Sequence, residues 1–127
     1  MSFIYYNANP KKNRVGDCVV RAISKATGMD WEKTYVEIVL KGFEMYDMPS
    51  SNAVWETYLF QHGFTKHILP LSCPDCYSIK QFCIDYPKGN YIVGTGSHAV
   101  AVVNGKYYDT WDSGDEIPIY YFKKEEK

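Results

Sequence analysis

A chain of 127 residues with a net charge of −1 suits one domain with a core of its own, and sets up no global attraction to nucleic acid or an anionic membrane. Its aromatic content of 17%, with 12 Tyr, argues for packed structure rather than disorder. No apolar run approaches the ~18 residues of a membrane span, and Met1-Ser2-Phe3-Ile4-Tyr5-Tyr6 lacks the basic start and long apolar stretch of a signal peptide. The cytoplasm is therefore the expected compartment, and Cys18, Cys73, Cys76 and Cys83 are expected to be thiols.

Residues 1–16 are polar and irregular, and read as an extended arm or short strand followed by a loop. Asp17 is the expected N-cap of a first helix that runs to about Thr27 and stops at Gly28. Val19, Val20, Ile23 and Ala26 supply its apolar stripe, and Cys18 falls at its first position. Asp30 caps a second helix, roughly Trp31 to Tyr46, with Trp31, Tyr35, Ile38, Val39, Gly42 and Tyr46 at helical spacing. A third helix follows from about Asn52 to Gln61, ending near Gly63, and Phe64 to Leu69 reads as a short strand. Pro70 to Pro74 is a loop, and Tyr77 to Asp85 a fourth helix with Ile79, Phe82 and Cys83 inward. After the turn Pro87-Lys88-Gly89-Asn90, Tyr91 to Gly94 is a buried strand. Ile117 to Phe122 is the last strand, placed at a sheet edge by Pro118, and Lys123 to Lys127 is a solvated end. Helices first and a mainly antiparallel sheet after them make an α+β fold in one domain spanning 1–127.

The stretch from His98 to Trp111 is the most informative part of the chain. His98 to Val103 is apolar and valine-rich, Lys106 to Trp111 is aromatic-rich, and Asn104-Gly105 between them suits a type I′ turn. With that loop Val103 pairs with Lys106, Asp109 faces Val100, and Trp111 faces His98. Alternation then places His98, Asp109 and Trp111 on one face, with Asp109 diagonal to His98. Asp112 falls on the opposite face and is the second choice as the partner of His98, unless a bulge near Trp111 reverses the faces.

A cysteine in the first turn of a helix is a candidate nucleophile, because unpaired N–H groups and the helix dipole favour thiolate there. The Cys18 N–H is also a candidate oxyanion donor. Asp17 works against ionisation of the thiol, unless its charge is taken up by capping or by Arg21 four residues on. Read alone, Cys18 fits a small buried hydrophobe, His98 a satisfied core histidine, Asp109 a turn carboxylate and Trp111 core. Only a shared site accounts for their common face and chain order.

Gly16-Asp17-Cys18-Val19-Val20-Arg21-Ala22 resembles the nucleophile helix of papain-like cysteine peptidases. His98-Ala99-Val100-Ala101-Val102-Val103-Asn104-Gly105 is similar to their histidine strand, and Asp109-Thr110-Trp111 to their Asn-Ser-Trp element. The size is closer to compact bacterial or phage-type members than to the extracellular enzymes. The resemblance implies a papain-like α+β fold, with the nucleophile helix packed on a C-terminal antiparallel sheet. It also implies Cys18 as nucleophile, His98 as base and then acid, Asp109 holding the imidazole, and Trp111 covering the pair. The family's oxyanion glutamine is missing; Lys12 stands six residues before Cys18 and Asn13 five, and Asn13 is the substitute. The expected activity is hydrolysis of a peptide or isopeptide bond in a peptide or protein substrate, with no cofactor and no metal. Acyl transfer through the same thioester is the alternative enzyme, and an inert binding or inhibitory module the alternative of another class.

Three other features point elsewhere only weakly. Cys73-Pro74-Asp75-Cys76, near Cys83, His62 and His67, has one Cys-x₂-Cys pair where zinc sites use two, and reads as a loop entering a helix with buried thiols. Gly94-Thr95-Gly96 lacks the helix and lysine of a phosphate loop, and leaves room for a substrate backbone instead. No basic patch interleaves with the aromatics, so nucleic acid is not an expected partner.

Overall fold

The computed structural model describes residues 2–69 and 77–125, with helices α1 (Cys18–Thr27), α2 (Trp31–Met45), α3 (Asn52–Gln61) and α4 (Ile79–Asp85). The strands are β1 (Phe3–Tyr5), β2 (Phe64–Ile68), β3 (Asn90–Gly94), β4 (Ala99–Val103), β5 (Lys106–Asp109) and β6 (Tyr120–Lys124), in the order β1-β5-β4-β3-β6-β2. The class is α+β, as expected, but the sheet is mixed: β1 runs parallel to β5, and the other pairings are antiparallel. Nor is the sheet purely C-terminal, because the N-terminal arm and the strand after α3 form its two edges. No described helix is long and apolar enough to cross a membrane.

The strands in the middle of the sheet are apolar without a break because both faces are covered. On β4, Ala99 and Ala101 point into a core shared with Ile23 of α1, Trp55 and Leu59 of α3, and Phe122. Val100 and Val102 point into a second core with Phe82 of α4 and Tyr107. The alanines are small where α1 crosses the sheet, which lets the helix lie close to β4. Gly94 does the same for Tyr120, since a Cβ there would collide with the tyrosine ring.

The β4–β5 hairpin has the expected register, with Val103 opposite Lys106 and Ala101 opposite Tyr108. Asn104 and Gly105 both have positive φ, 51° and 78°, as a type I′ turn requires. Gly28 ends α1 in the left-handed region, and the Asp30 carboxylate accepts from the Lys33 N–H at the start of α2.

Three local expectations are corrected. Asp17 precedes α1 without capping it, at φ −106° and ψ 24° and with no side-chain cap bond, because its carboxylate is drawn to other partners. Strand β6 lies between β3 and β2 rather than at an edge, because pairing begins only at Tyr120, two residues beyond the Pro118 ring that cannot donate. Lys123 and Lys124, read as part of a solvated end, close that strand and pair with β2. The expected loop at Pro70–Pro74 lies outside the described residues, as do Cys73 and Cys76.

Candidate active site

The β4–β5 ladder ends at the Ala101–Tyr108 rung, one short of Asp109. There Asp109 turns to β1, where its carbonyl accepts the Tyr6 N–H at 2.8 Å. Past that rung the strands no longer hold each other edge to edge. Side chains from α1 on one face and from the hairpin meet in a polar gap at the strand ends.

Asp109 is the centre of this gap and is fully buried. Its Oδ2 accepts from His98 Nε2 and from the Ser113 hydroxyl, each at 2.7 Å. Its Oδ1 accepts from Arg21 Nη2 at 2.8 Å and from the Thr110 N–H at 2.7 Å. Burial pushes the carboxyl pKa up, but bonds from His98, Ser113 and the Thr110 amide outweigh it and hold it below the usual range. The expected meeting of His98 and Asp109 is a direct hydrogen bond, made beyond the end of the ladder rather than across the expected Val100–Asp109 rung. The Trp111 indole stands 5.2 Å from the imidazole, centroid to centroid, and is itself 47% exposed, so it covers one side of the ring only.

Cys18 opens α1 at the same gap. Burial pushes its thiol pKa up, but a hydrogen bond and charge attraction from His98, the Ala99 amide and the Arg21 charge together bring it below the ordinary thiol value. The reciprocal effect is seen on His98. Burial disfavours its charge, yet Asp109 and Cys18 hold the imidazolium up to about 9. The two shifts share one origin: each group in its charged form favours the charge of the other. With Nε2 bound to Asp109, Nδ1 is the imidazole nitrogen left for the thiol.

Arg21, one turn into α1, is only 5% exposed. Its Nη1 reaches Asp17 Oδ1 at 2.6 Å while Nη2 holds Asp109. The other Asp17 oxygen accepts from the Trp31 indole N–H at 2.9 Å. Asp17 therefore sits in an ion pair rather than bare beside the thiol. The first N–H groups of α1 are also left without a side-chain cap, which suits them to a developing negative charge.

A groove of about 720 Å³ opens onto Cys18 and His98. Val19, Val20, Ile38 and the Trp31–Tyr35 pair, stacked at 5.1 Å, form its apolar wall, and Gly96 and Ser97 lie on the histidine side. Asn13 and Asn9 both line it. Asn13 is exposed, and its carbonyl accepts from the Asn7 amide at 3.4 Å. Asn9 is buried and locally braced: its Oδ1 accepts the Lys11 N–H at 2.9 Å, and its own N–H donates to Asn7 Oδ1 at 3.2 Å. Those bonds commit the Asn9 oxygen to the turn, in a residue that lines the groove.

Sequence reasoning missed Asn9, Ser113 and the reach of Arg21 to Asp109. Asn7-Ala8-Asn9-Pro10 does carry a signal for side-chain-braced turns. Asp112 does not hold the imidazole: it accepts from the Tyr107 hydroxyl and from the Gly114 N–H. Cys83 is buried, which pushes its thiol up to about 11 and away from reactivity. His67 stacks on Tyr121 and bonds the Thr65 hydroxyl, and His62 packs on Tyr58. No group of three or more metal-ligating side chains converges among the described residues. Comparison of the chain with protein-family models, with curated proteins and with solved structures returns no match.

Proposed function

We propose that this protein is a cysteine hydrolase on a papain-like scaffold, cleaving a peptide or isopeptide amide through a thioester on Cys18. The observation that carries the reading is the convergence of three chemically matched groups. They are a thiol at a helix mouth, an imidazole on the same groove, and a buried carboxylate 2.7 Å behind that imidazole. In this reading the Cys18 thiolate attacks the amide carbonyl, and His98 delivers its proton to the leaving amine. His98 then takes a proton from the water that opens the thioester. Asp109 keeps the imidazole in the tautomer and orientation both steps need. The Cys18 N–H and the Asn9 amide are the oxyanion donors, with Asn9 taking the role the sequence assigned to Asn13. The apolar wall of the groove suits a bulky uncharged side chain on the acyl portion of the substrate. Acyl transfer would use the same thioester with an amine in place of water.

Alkylation by iodoacetamide as a function of pH tests this reading. The expected result is selective labelling of Cys18 at pH 6, with Cys83 unlabelled, and loss of that selectivity in His98→Ala. Slow labelling of Cys18 that rises only near pH 8 to 9 would favour an inert binding module instead.

A further inference from the structure

We propose that Arg21 is a positioning residue for the Cys18–His98 pair, its forked guanidinium fastening the mouth of the nucleophile helix to the acid of the hairpin while balancing the charge of both carboxylates. This rests on the hydrolase reading above. The geometry is direct: one prong on Asp17 at 2.6 Å, the other on Asp109 at 2.8 Å, in a residue almost closed to solvent. Asp17 precedes the nucleophile in the chain, and Asp109 holds its base. A single planar cation thus touches both flanks of the pair, a two-carboxylate grip that a lysine's point charge does not reproduce.

Among the described residues, this task falls to Arg21 alone. Asp17 and Asp109 are the charged groups it bonds. Cys18 lies on the same helix and His98 across the gap, bonded to Asp109. From α2 the neutral Trp31 indole reaches the cluster, on Asp17. From β6 comes the Tyr120 phenol, which burial pushes up to about 12 and keeps neutral. Lys25, one turn further along α1, is turned to the rings of Tyr6 and Tyr108 instead.

Removing the guanidinium has a signature that mere loss of packing does not. Two carboxylates would then act unopposed on the pair, disfavouring the thiolate and favouring the imidazolium. Both inflections of the alkylation profile should therefore move upward together. The experiment is iodoacetamide labelling of Cys18 against pH in the full chain, for the parent, Arg21→Met, Arg21→Lys, Asp17→Asn and Arg21→Met/Asp17→Asn. In Arg21→Met both inflections should rise by about one pH unit, with about tenfold slower labelling at pH 6. Arg21→Lys should fall between it and the parent. The double variant, which removes one carboxylate with the cation, should return most of the way to the parent.

Inflections of Arg21→Met that stay at the parent's positions, or a double variant no closer to the parent than Arg21→Met, would overturn the assignment. Should Arg21→Met fail to fold by far-ultraviolet circular dichroism, Arg21→Lys and Asp17→Asn decide. The first must raise both inflections and the second must lower the thiol's; if neither moves, the assignment falls. A parent whose Cys18 shows no low-pH labelling defeats the hydrolase reading itself, an outcome distinct from a reactive parent that is indifferent to Arg21.

Discussion

Replacing Asp109 by Asn keeps the side-chain volume and removes the charge at the centre of the polar gap. The carboxylate accepts four hydrogen bonds, two on each oxygen. Oδ1 faces groups that can only donate, the Arg21 guanidinium and the Thr110 N–H, so the amide oxygen of the Asp109→Asn side chain must take that side. The amide NH₂ then faces His98 and Ser113. The Ser113 hydroxyl can rotate to accept, but His98 can accept only as a neutral ring carrying its proton on Nδ1, the side facing Cys18. That tautomer cannot take the thiol proton. Loss of the charge-assisted bonds beside a buried Arg21 costs about 2–4 kcal/mol, out of the ~5–15 kcal/mol that holds a domain together. Without the imidazolium the thiol loses the attraction of His98 and its pKa moves back up, so labelling of Cys18 at pH 6 should slow by about tenfold or more. Urea denaturation followed by tryptophan fluorescence reads the first effect, and mass-spectrometric alkylation rates of the Cys18 peptide read the second. An Asp109→Asn protein with the parent's midpoint and the parent's labelling rate at pH 6 would refute the reasoning on both counts.

Other substitutions separate roles that the geometry keeps distinct. Asn9→Ala should slow acylation by an ester or amide substrate by about 10²–10³-fold while leaving iodoacetamide labelling of Cys18 unchanged, since alkylation forms no oxyanion; equal effects on both would show that the residue only supports the loop. Asp112→Asn should leave the alkylation profile in place, because Asp112 is bonded to Tyr107 and Gly114 rather than His98; a displaced profile would make it the true partner of the imidazole. Stability should also report the histidine. Its pKa is raised in the folded state, so its contribution is whole below about 6.5 and fades as pH climbs toward about 9. In a Cys18→Ala background, where only Asp109 holds the imidazolium, the urea midpoint should fall above about pH 6.5 and finish falling before about 9, relative to Cys18→Ala/His98→Gln. A constant difference between the two would mean that no charged imidazole is held in the fold.

The hairpin shows how far local chemistry alone can go. Asn104-Gly105 settles the turn type, and the turn settles the register as far as the Ala101–Tyr108 rung; the His98–Asp109 bond forms just beyond it, where the expected Val100–Asp109 rung is replaced by pairing of Asp109 with Tyr5. The same holds for α1, α2 and α3, whose ends follow from Gly28, Asp30 and the spacing of apolar residues. These features depend on backbone preferences and side-chain periodicity over short stretches, and both can be read without knowing what lies opposite.

Contacts made over long separations were decided only by the folded chain. Arg21 meets Asp109 across 88 positions, and Asp17 gives up its capping role because Trp31 and Arg21 compete for its oxygens. The parallel addition of β1 to β5 and the interior place of β6 rest on sheet order, which alternation of side chains along one strand does not encode. Asn9 rather than Asn13 is the buried, braced amide in the groove because the arm folds back on itself through Asn7. The physical reason is common to all of them. A buried polar group must find partners wherever the packed layers leave donors and acceptors, and that supply is a property of the assembled layers rather than of any one segment.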